Sequence, residues 1–163
     1  MDKSSVESSF QFVSYKIDLI DVKMIQNINV LLKKDPILEN NVNLSLGFRN
    51  ASKFLNEGRT IYIGGLNVKI EIFDKKLTDP ILTGVFGIAG VFTTLNEMPA
   101  ETEESLVKIN IPALLFPYLR ATITTTLSNA GFGTVLLPLI NVYEAAKEAN
   151  ISILENSANL NPS

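Results

Sequence analysis

An α+β domain is predicted, with an antiparallel sheet in the first half and helices packed on it in the second. Three observations predict it. Val42, Leu44, Leu46 and Phe48 alternate with Asn43, Ser45, Gly47 and Arg49, and Leu66, Val68, Ile70 and Ile72 alternate with Asn67, Lys69 and Glu71. That two-residue period is the mark of half-buried strands. Strand-like segments follow one another closely with no helix between them, which favours antiparallel pairing. Beyond a polar, acidic linker around residues 97–104 the period becomes helical, with Leu115, Leu119, Thr122, Ile123 and Leu127 on one face.

In chain order, residues 10–22 carry two apolar stripes: Val13, Tyr15, Ile17 and Leu19, and Phe10, Phe12, Ile20 and Val22. A slip in register would reconcile them. Residues 23–41 hold Met24, Ile25, Ile28, Val30, Leu31, Leu32, Ile37 and Leu38, with Pro36 as a breaker. That is too long for a hairpin turn and too apolar for a free loop, so it crosses the sheet or lies along it. It either contacts a ligand or completes the core. Ile61 and Ile63 stand in the opposite phase to Leu66–Ile72, with Gly64-Gly65 between them. A bulge at that pair keeps one long strand, whereas a hairpin turn there makes two. Residues 81–95 are Gly-rich and apolar on both faces, as in a strand covered on both sides or lying at a subunit contact.

The segment 110–143 is too apolar for a surface helix, and its one charged group before the second helix is Arg120. Its first helix ends near Asn129-Ala130-Gly131. Thr122, Thr124, Thr125 and Thr126 are poor helix formers, so packing must hold it. These small residues suit a helix–helix interface, or they face water on a helix lying on the sheet. A second helix starts at Asn141, which can cap it, with Glu144 placed to return the bond. Residues 1–154 are expected to form a single domain. Residues 155–163 have too little apolar content to pack and are expected to be a disordered polar tail.

The composition excludes much. Of 163 residues, 46% are hydrophobic and only 19% charged, so the surface is short of charge and some apolar area is covered by other subunits or a ligand. A net charge of −3 with no basic run argues against nucleic acid as a partner. The chain has no cysteine and no histidine. Disulfides, thiolate nucleophiles, Cys or His zinc sites and histidine-based triads are therefore excluded, and no metal or cofactor is expected. The first nine residues carry acid where a signal peptide needs basic and then apolar residues. Pro112, Pro117 and Pro138 interrupt the best apolar runs short of a membrane span. A cytoplasmic protein without membrane insertion is the expectation, and the sequons at Asn50 and Asn150 read as chance.

In this order of elements the chain resembles SecB, the tetrameric chaperone of protein export, along most of its length. The likeness is strongest at LLFPYLR (Leu114 to Arg120) and continues through Phe132–Leu139 into Ile140-Asn141-Val142. Val85-Phe86-Gly87-Ile88-Ala89-Gly90, Phe10-Gln11-Phe12 and Val30-Leu31-Leu32-Lys33-Lys34-Asp35 are similar to the family's fourth strand, first strand and crossover loop. The resemblance implies a SecB-like four-stranded antiparallel sheet with two helices packed on one face. It implies a homotetramer, a dimer of dimers, with Leu115, Tyr118, Leu119, Thr122, Ile123 and Thr126 at or near the interface. It also implies a groove for unfolded or client polypeptide. That groove draws on Val30, Leu31, Leu32, Ile37 and Leu38 of the crossover and on Val142, Tyr143 and Ala146 of the second helix.

The family's contact with the export motor SecA falls on Leu77-Thr78-Asp79, with Leu77 and Asp79 as the matching positions. The sequence departs from the family at Pro36, where an aromatic residue is usual, and at Gly133, where proline is. The family's first-strand acids fall on Leu19 and Lys23, with Asp18 and Asp21 close by. No motor-binding tail is found in residues 155–163.

The implied function is a holdase for non-native polypeptides, working in export or for a dedicated client such as an antitoxin. A holdase needs apolar surface and no general acid or base. The second reading is a binding or assembly domain that shares the fold without general chaperone activity. An enzyme or acyl-group binder ranks last, since Asp74, Asp79, Glu97 and Glu101–Glu104 read as solvated turns and a linker.

Overall fold

The structure is a computed structural model that describes residues 10–156. Its sheet has six strands rather than four: β1 (Phe10–Met24), β2 (Val42–Phe48), β3 (Ala51–Asn56), β4 (Arg59–Ile72), β5 (Leu82–Thr94) and β6 (Ile153–Asn156). Their order is β1-β5-β4-β3-β6, with β2 also paired to β4. β2 and β3 lie end to end along one edge of β4, antiparallel to it, so they act as one broken strand. β1, β2–β3, β4 and β5 thus form the four expected antiparallel ribbons. β6 is the addition, running parallel to β3. It includes Glu155 and Asn156, which the sequence assigns to the tail; residues 157–163 and the polar start, residues 1–9, lie outside the described residues.

Gly64-Gly65 is neither a bulge nor a turn. β4 passes through it in unbroken register with β5, from Thr60↔Thr94 to Ile72↔Leu82. The irregularity sits opposite, where the pairing steps by one residue between Phe48↔Leu66 and Ser52↔Ile63. Ile61 and Ile63 accordingly stay on the outer face, half-buried, while Tyr62, Leu66, Val68, Ile70 and Ile72 face the core. The actual hairpin turn is Glu57-Gly58, both with positive φ (48° and 77°), the geometry a two-residue loop demands.

β1 does slip, twice. Its register with β5 shifts between Phe12 and Ser14 and again between Ile17 and Leu19. Each shift reverses the phase of alternation, so Phe10, Phe12, Tyr15, Ile17, Ile20 and Val22 all come to one face. Val13 and Leu19 are left on the other side. The second bulge also presents Asp18 to Arg49, which reaches from the break between β2 and β3. The guanidinium donates to both Asp18 oxygens (2.6 and 2.8 Å) and to Asn67 Oδ1. A Cβ at Gly87 would collide with its side chain and one at Gly65 would crowd it, so these glycines open a lane across the outer face.

The second half is one long helical run. α1 (Ile28–Leu31) belongs to the crossover; α2 (Ala100–Ser105), a π turn (Leu106–Asn110), α3 (Ile111–Leu127) and a second π turn (Ser128–Phe132) follow β5 without interruption. The acidic stretch at residues 97–104, expected to be a linker, is therefore largely helix. Glu103 fixes it to the sheet by accepting from Lys53 Nζ and Tyr62 Oη, each at 2.6 Å. Burial alone would raise the Glu103 pKa, but these two bonds and the Lys53 charge outweigh it and leave the group below its ordinary range. Burial, then the bond to Glu103, pushes the Tyr62 hydroxyl well above its own. Pro112 and Pro117, expected to interrupt the apolar run, lie within α3. The wide π turn comes just before Pro112, which has no N–H to return to the preceding turn.

Joined in this way, Ala100–Phe132 is long and apolar enough to cross a membrane by length and composition. One stripe of it packs into the core of the fold. Ile111, Leu115, Leu119, Ile123 and Leu127 are fully buried on the sheet. At roughly 1.5–3 kcal/mol each, these outweigh the threonines' helix cost of about 0.7 kcal/mol apiece at most. α4 (Val142–Glu148) starts where expected, with Asn141 Oδ1 accepting from the Glu144 amide at 3.2 Å.

Two outcomes test this packing. Gly65→Ala places a Cβ 2.4 Å from the Ile88 carbonyl oxygen, a backbone atom that cannot step aside. We expect it to cost about 1–3 kcal/mol in urea unfolding, with Gly47→Ala, which has room, within about 0.5 kcal/mol of wild type. Hydrogen bonds from Arg49, and then its charge, hold the Asp18 carboxyl below the usual aspartate range. The stability from this pair is present above that range and lost as pH falls through the lowered pKa. Asp18→Asn should therefore flatten part of the acid limb of the stability–pH curve while lowering stability at neutral pH.

Candidate functional site

The crossover from β1 to β2 is pinned at two apolar points. Asn27 Oδ1 caps α1 by accepting from the Asn29 amide (2.9 Å), and the single turn that follows turns Val30 inward. Ile37 is also buried. Its amide donates to Thr134 O (3.2 Å), and its carbonyl accepts from Leu136 (2.9 Å). Between and beside these anchors the other crossover side chains point outward: Leu31, Leu32 and Leu38 are 60%, 68% and 48% exposed.

The loop between β4 and β5 closes against this segment through Lys33 Nζ on Asp74 Oδ2 (2.9 Å) and the Phe73 amide on Asn41 O (2.8 Å). The Lys76 amide, and next Lys33, hold the Asp74 carboxyl below its ordinary range. The two segments enclose a basin of about 770 Å³ with Leu32, Leu38 and Leu77 on its walls. Next along the chain, β2 pairs with β4 alone, and among the described residues no strand lies on its other edge. Its Leu44, Leu46 and Phe48 are half-buried on the helix side.

A second, open groove of about 630 Å³ runs between α3 and the start of α4, lined by Phe116, Pro117, Leu139 and Tyr143 among others. Arg120 holds the segment that leads into this groove by donating to Leu137 O and Pro138 O, both at 2.9 Å. Because the same segment carries the Thr134 and Leu136 bonds to Ile37, Arg120 ties α3, the second groove and the crossover together.

The structure divides the expected site residues. Of the peptide-binding set, Leu31, Leu32, Leu38 and Tyr143 are exposed, whereas Val30, Ile37, Val142 and Ala146 are buried in the protomer and can only position the others. The two halves of the expected groove line separate cavities. Of the interface set, Leu115, Leu119 and Ile123 are fully buried on the protomer's own sheet and are not available to a partner. Helical periodicity selects one face of α3, and that face turns inward. Outward stand Leu114, Tyr118, Ala121 and Thr125, with Thr122 and Thr126 half-buried beside them. Tyr118 stacks near Tyr15 and Phe12 of β1, with ring centres 4.6 and 5.7 Å away. Thr122 returns its hydroxyl to Tyr118 O (3.0 Å), which leaves its methyl for contact. Leu77 and Asp79 lie in the loop between β4 and β5 rather than on the sheet surface, and Asp18 is engaged by Arg49.

The profile of the family described as Preprotein translocase subunit SecB matches residues 66–149, from the second half of β4 to just past α4. The chain belongs to the SecB family. Its similarity reaches the protein-export protein SecB of Burkholderia vietnamiensis, 39% identical over 70 residues, which is 43% of this chain and 43% of that protein. The chain thus aligns with less than half the length of that SecB. An uncharacterized protein of Methanocaldococcus jannaschii is 33% identical over 139 residues, covering 80% of this chain and 84% of the other. Among solved structures, a SecB-like chaperone of Mycobacterium tuberculosis, determined in complex with a ChAD peptide from an antitoxin, superposes with a TM-score of 0.51. That match covers 81% of this chain and 91% of the other at 12% identity, so it speaks to the SecB-like fold.

Within this SecB fold the sequence expectations passed over Arg120 as a structural tie and over the open edge of β2. Arg120 was the one charge in an apolar segment, which was the available signal. Charged-group hydrogen bonds of this kind contribute about 1.5–3 kcal/mol. Arg120→Ala should therefore speed amide hydrogen exchange across residues 134–142 by roughly tenfold or more while leaving β4 and β5 protected.

Proposed function

We propose that this SecB-family protein is a holdase that binds non-native polypeptide without altering it covalently. The observation that carries this reading is the row of exposed leucines on a crossover pinned from within, beside an edge of β2 on which no strand lies among the described residues. An extended client can lay apolar side chains against Leu31, Leu32 and Leu38 while its backbone pairs with β2, which gives affinity without fixed sequence. Tyr143 and the α3–α4 groove supply a second, separate contact. Several weak contacts on one assembly then combine through effective concentration.

Assembly is proposed to be a homotetramer built as a dimer of dimers. Its interface is the outward side of α3 with the adjoining aromatic face of β1, where Phe12, Tyr15 and Tyr118 leave apolar area exposed. A client-specific role, of the kind suggested by the mycobacterial chaperone and its antitoxin peptide, is favoured over docking on SecA. Asp18 is committed to Arg49, and Leu77 is part of the basin wall. In the export form, the loop with Leu77 and Asp79 would be the motor contact. Cytoplasmic residence goes with either form. A SecB-fold assembly domain without general chaperone activity remains the competing reading.

Suppression of aggregation of a chemically unfolded client tests the function. The wild-type chain should suppress at about one tetramer per client, and Leu32→Asp with Leu38→Asp should need about tenfold more protein. Both positions are exposed, so folding should survive, as circular dichroism will show. Absence of suppression by the wild type would sink the holding function and favour the assembly-domain reading. In light scattering, Tyr118→Asp should shift a tetramer to smaller species.

A further inference from the structure

The crossover basin has a charge that the rest of the chain does not. Two Lys-Lys pairs, Lys33-Lys34 from the crossover and Lys75-Lys76 from the loop between β4 and β5, meet on its rim although they lie far apart in sequence. They are four of the chain's 14 basic residues, gathered at one cavity of a protein whose net charge is −3. Two carboxylates share the rim. Asp74 is already occupied, its Oδ2 by Lys33 Nζ (2.9 Å) and its Oδ1 by the Lys76 amide (3.0 Å). Asp35 is the other. Among the described residues, Lys34, Lys75 and Lys76 have no carboxylate within ion-pair reach. Inside this rim stand the exposed leucines Leu32, Leu38 and Leu77.

We infer that the basin selects client segments in which Asp or Glu flanks leucine-sized apolar residues. The inference rests on the holding function and names its preferred substrate. The physical argument is complementarity on two scales. The leucines accept apolar side chains of varied shape, and the lysine stems extend that surface while their ammonium groups stay hydrated. The unpaired ammonium groups then attract carboxylates next to the apolar contact and repel basic segments, so charge sets specificity and encounter rate more than total affinity. A short anion would gain nothing from the leucines, and a neutral apolar segment would gain nothing from the lysines.

Binding of fluorescein-labelled, unstructured peptides to the full chain, read by anisotropy, tests this. Three peptides share a leucine-rich centre and differ only in flanks of Glu, Gln or Lys. The Glu-flanked peptide should bind about fivefold or more tighter than the Gln-flanked one at about 0.05 M salt, and the advantage should shrink towards unity at about 0.5 M. Lys75→Glu with Lys76→Glu, both on an exposed loop, should invert the order so that the Lys-flanked peptide binds best. Equal affinity for the Glu- and Gln-flanked peptides, or an unchanged order in the double variant, would overturn the inference alone. Failure of all three peptides to bind at either salt would overturn it together with the holding function. A single-stranded oligonucleotide of equal charge that displaces the Glu-flanked peptide and binds more tightly would also overturn it.

Discussion

The close seating of α3 on β4 and β5 is the constraint from which the rest of the structure follows. Ile111 and Leu115 press against Gly64 and Gly90, where an added Cβ would come within 2.6 Å of either side chain. Two adjacent strands that lack side chains at the crossing let the helix axis approach and bury its whole apolar stripe. Once that stripe is spent on the sheet, the opposite side of α3 is left for other partners. The segment after α3 is also brought back over the sheet, where Arg120 and the Ile37 bonds can hold it.

On the other face of the sheet, Arg49 performs a related task with charge instead of apolar contact. It starts at the break between β2 and β3, crosses β4 and β5 over two glycines, and ends on the bulge of β1. Two of the sheet's three irregular points, the break and the second bulge of β1, are thus tied to each other. Both bulges in β1 resolve a conflict between its stripes, because each reverses the alternation once. The result is an edge strand whose aromatic face lies beside the outward side of α3.

The proposed holding function asks for no reactive group in this SecB-family chain. Its polar networks, Lys53–Glu103–Tyr62, Arg49–Asp18 and Arg120 on two carbonyls, are each closed on structural partners. Around the crossover, the open groups are chiefly apolar and basic: its leucines, the edge of β2 on which no strand lies among the described residues, and the lysines of the basin. Buried Val30 and Ile37 matter to this because a floppy crossover would collapse its leucines onto one another. Anchoring from within keeps them apart and exposed.

The sequence by itself determined four of the six strands, the core face of α3, the capped start of α4 and the absence of thiolate and histidine chemistry. These are local properties, set by a period of two or 3.6 or by the residue types present. Only the tertiary structure decided that a bulge assigned to Gly64-Gly65 belongs to the opposite strand, and that the acidic linker is helix. It also decided that Leu115, Leu119 and Ile123 serve the protomer's own core. The sequence did not separate exposed Leu31, Leu32, Leu38 and Tyr143 from buried Val30, Ile37, Val142 and Ala146, because apolar residues look alike until long-range contacts such as the bonds of Ile37 are formed. The meeting of Lys33-Lys34 with Lys75-Lys76 was invisible for the same reason. Which distant segments share a rim depends on the register of strands between them, and no local pattern encodes that.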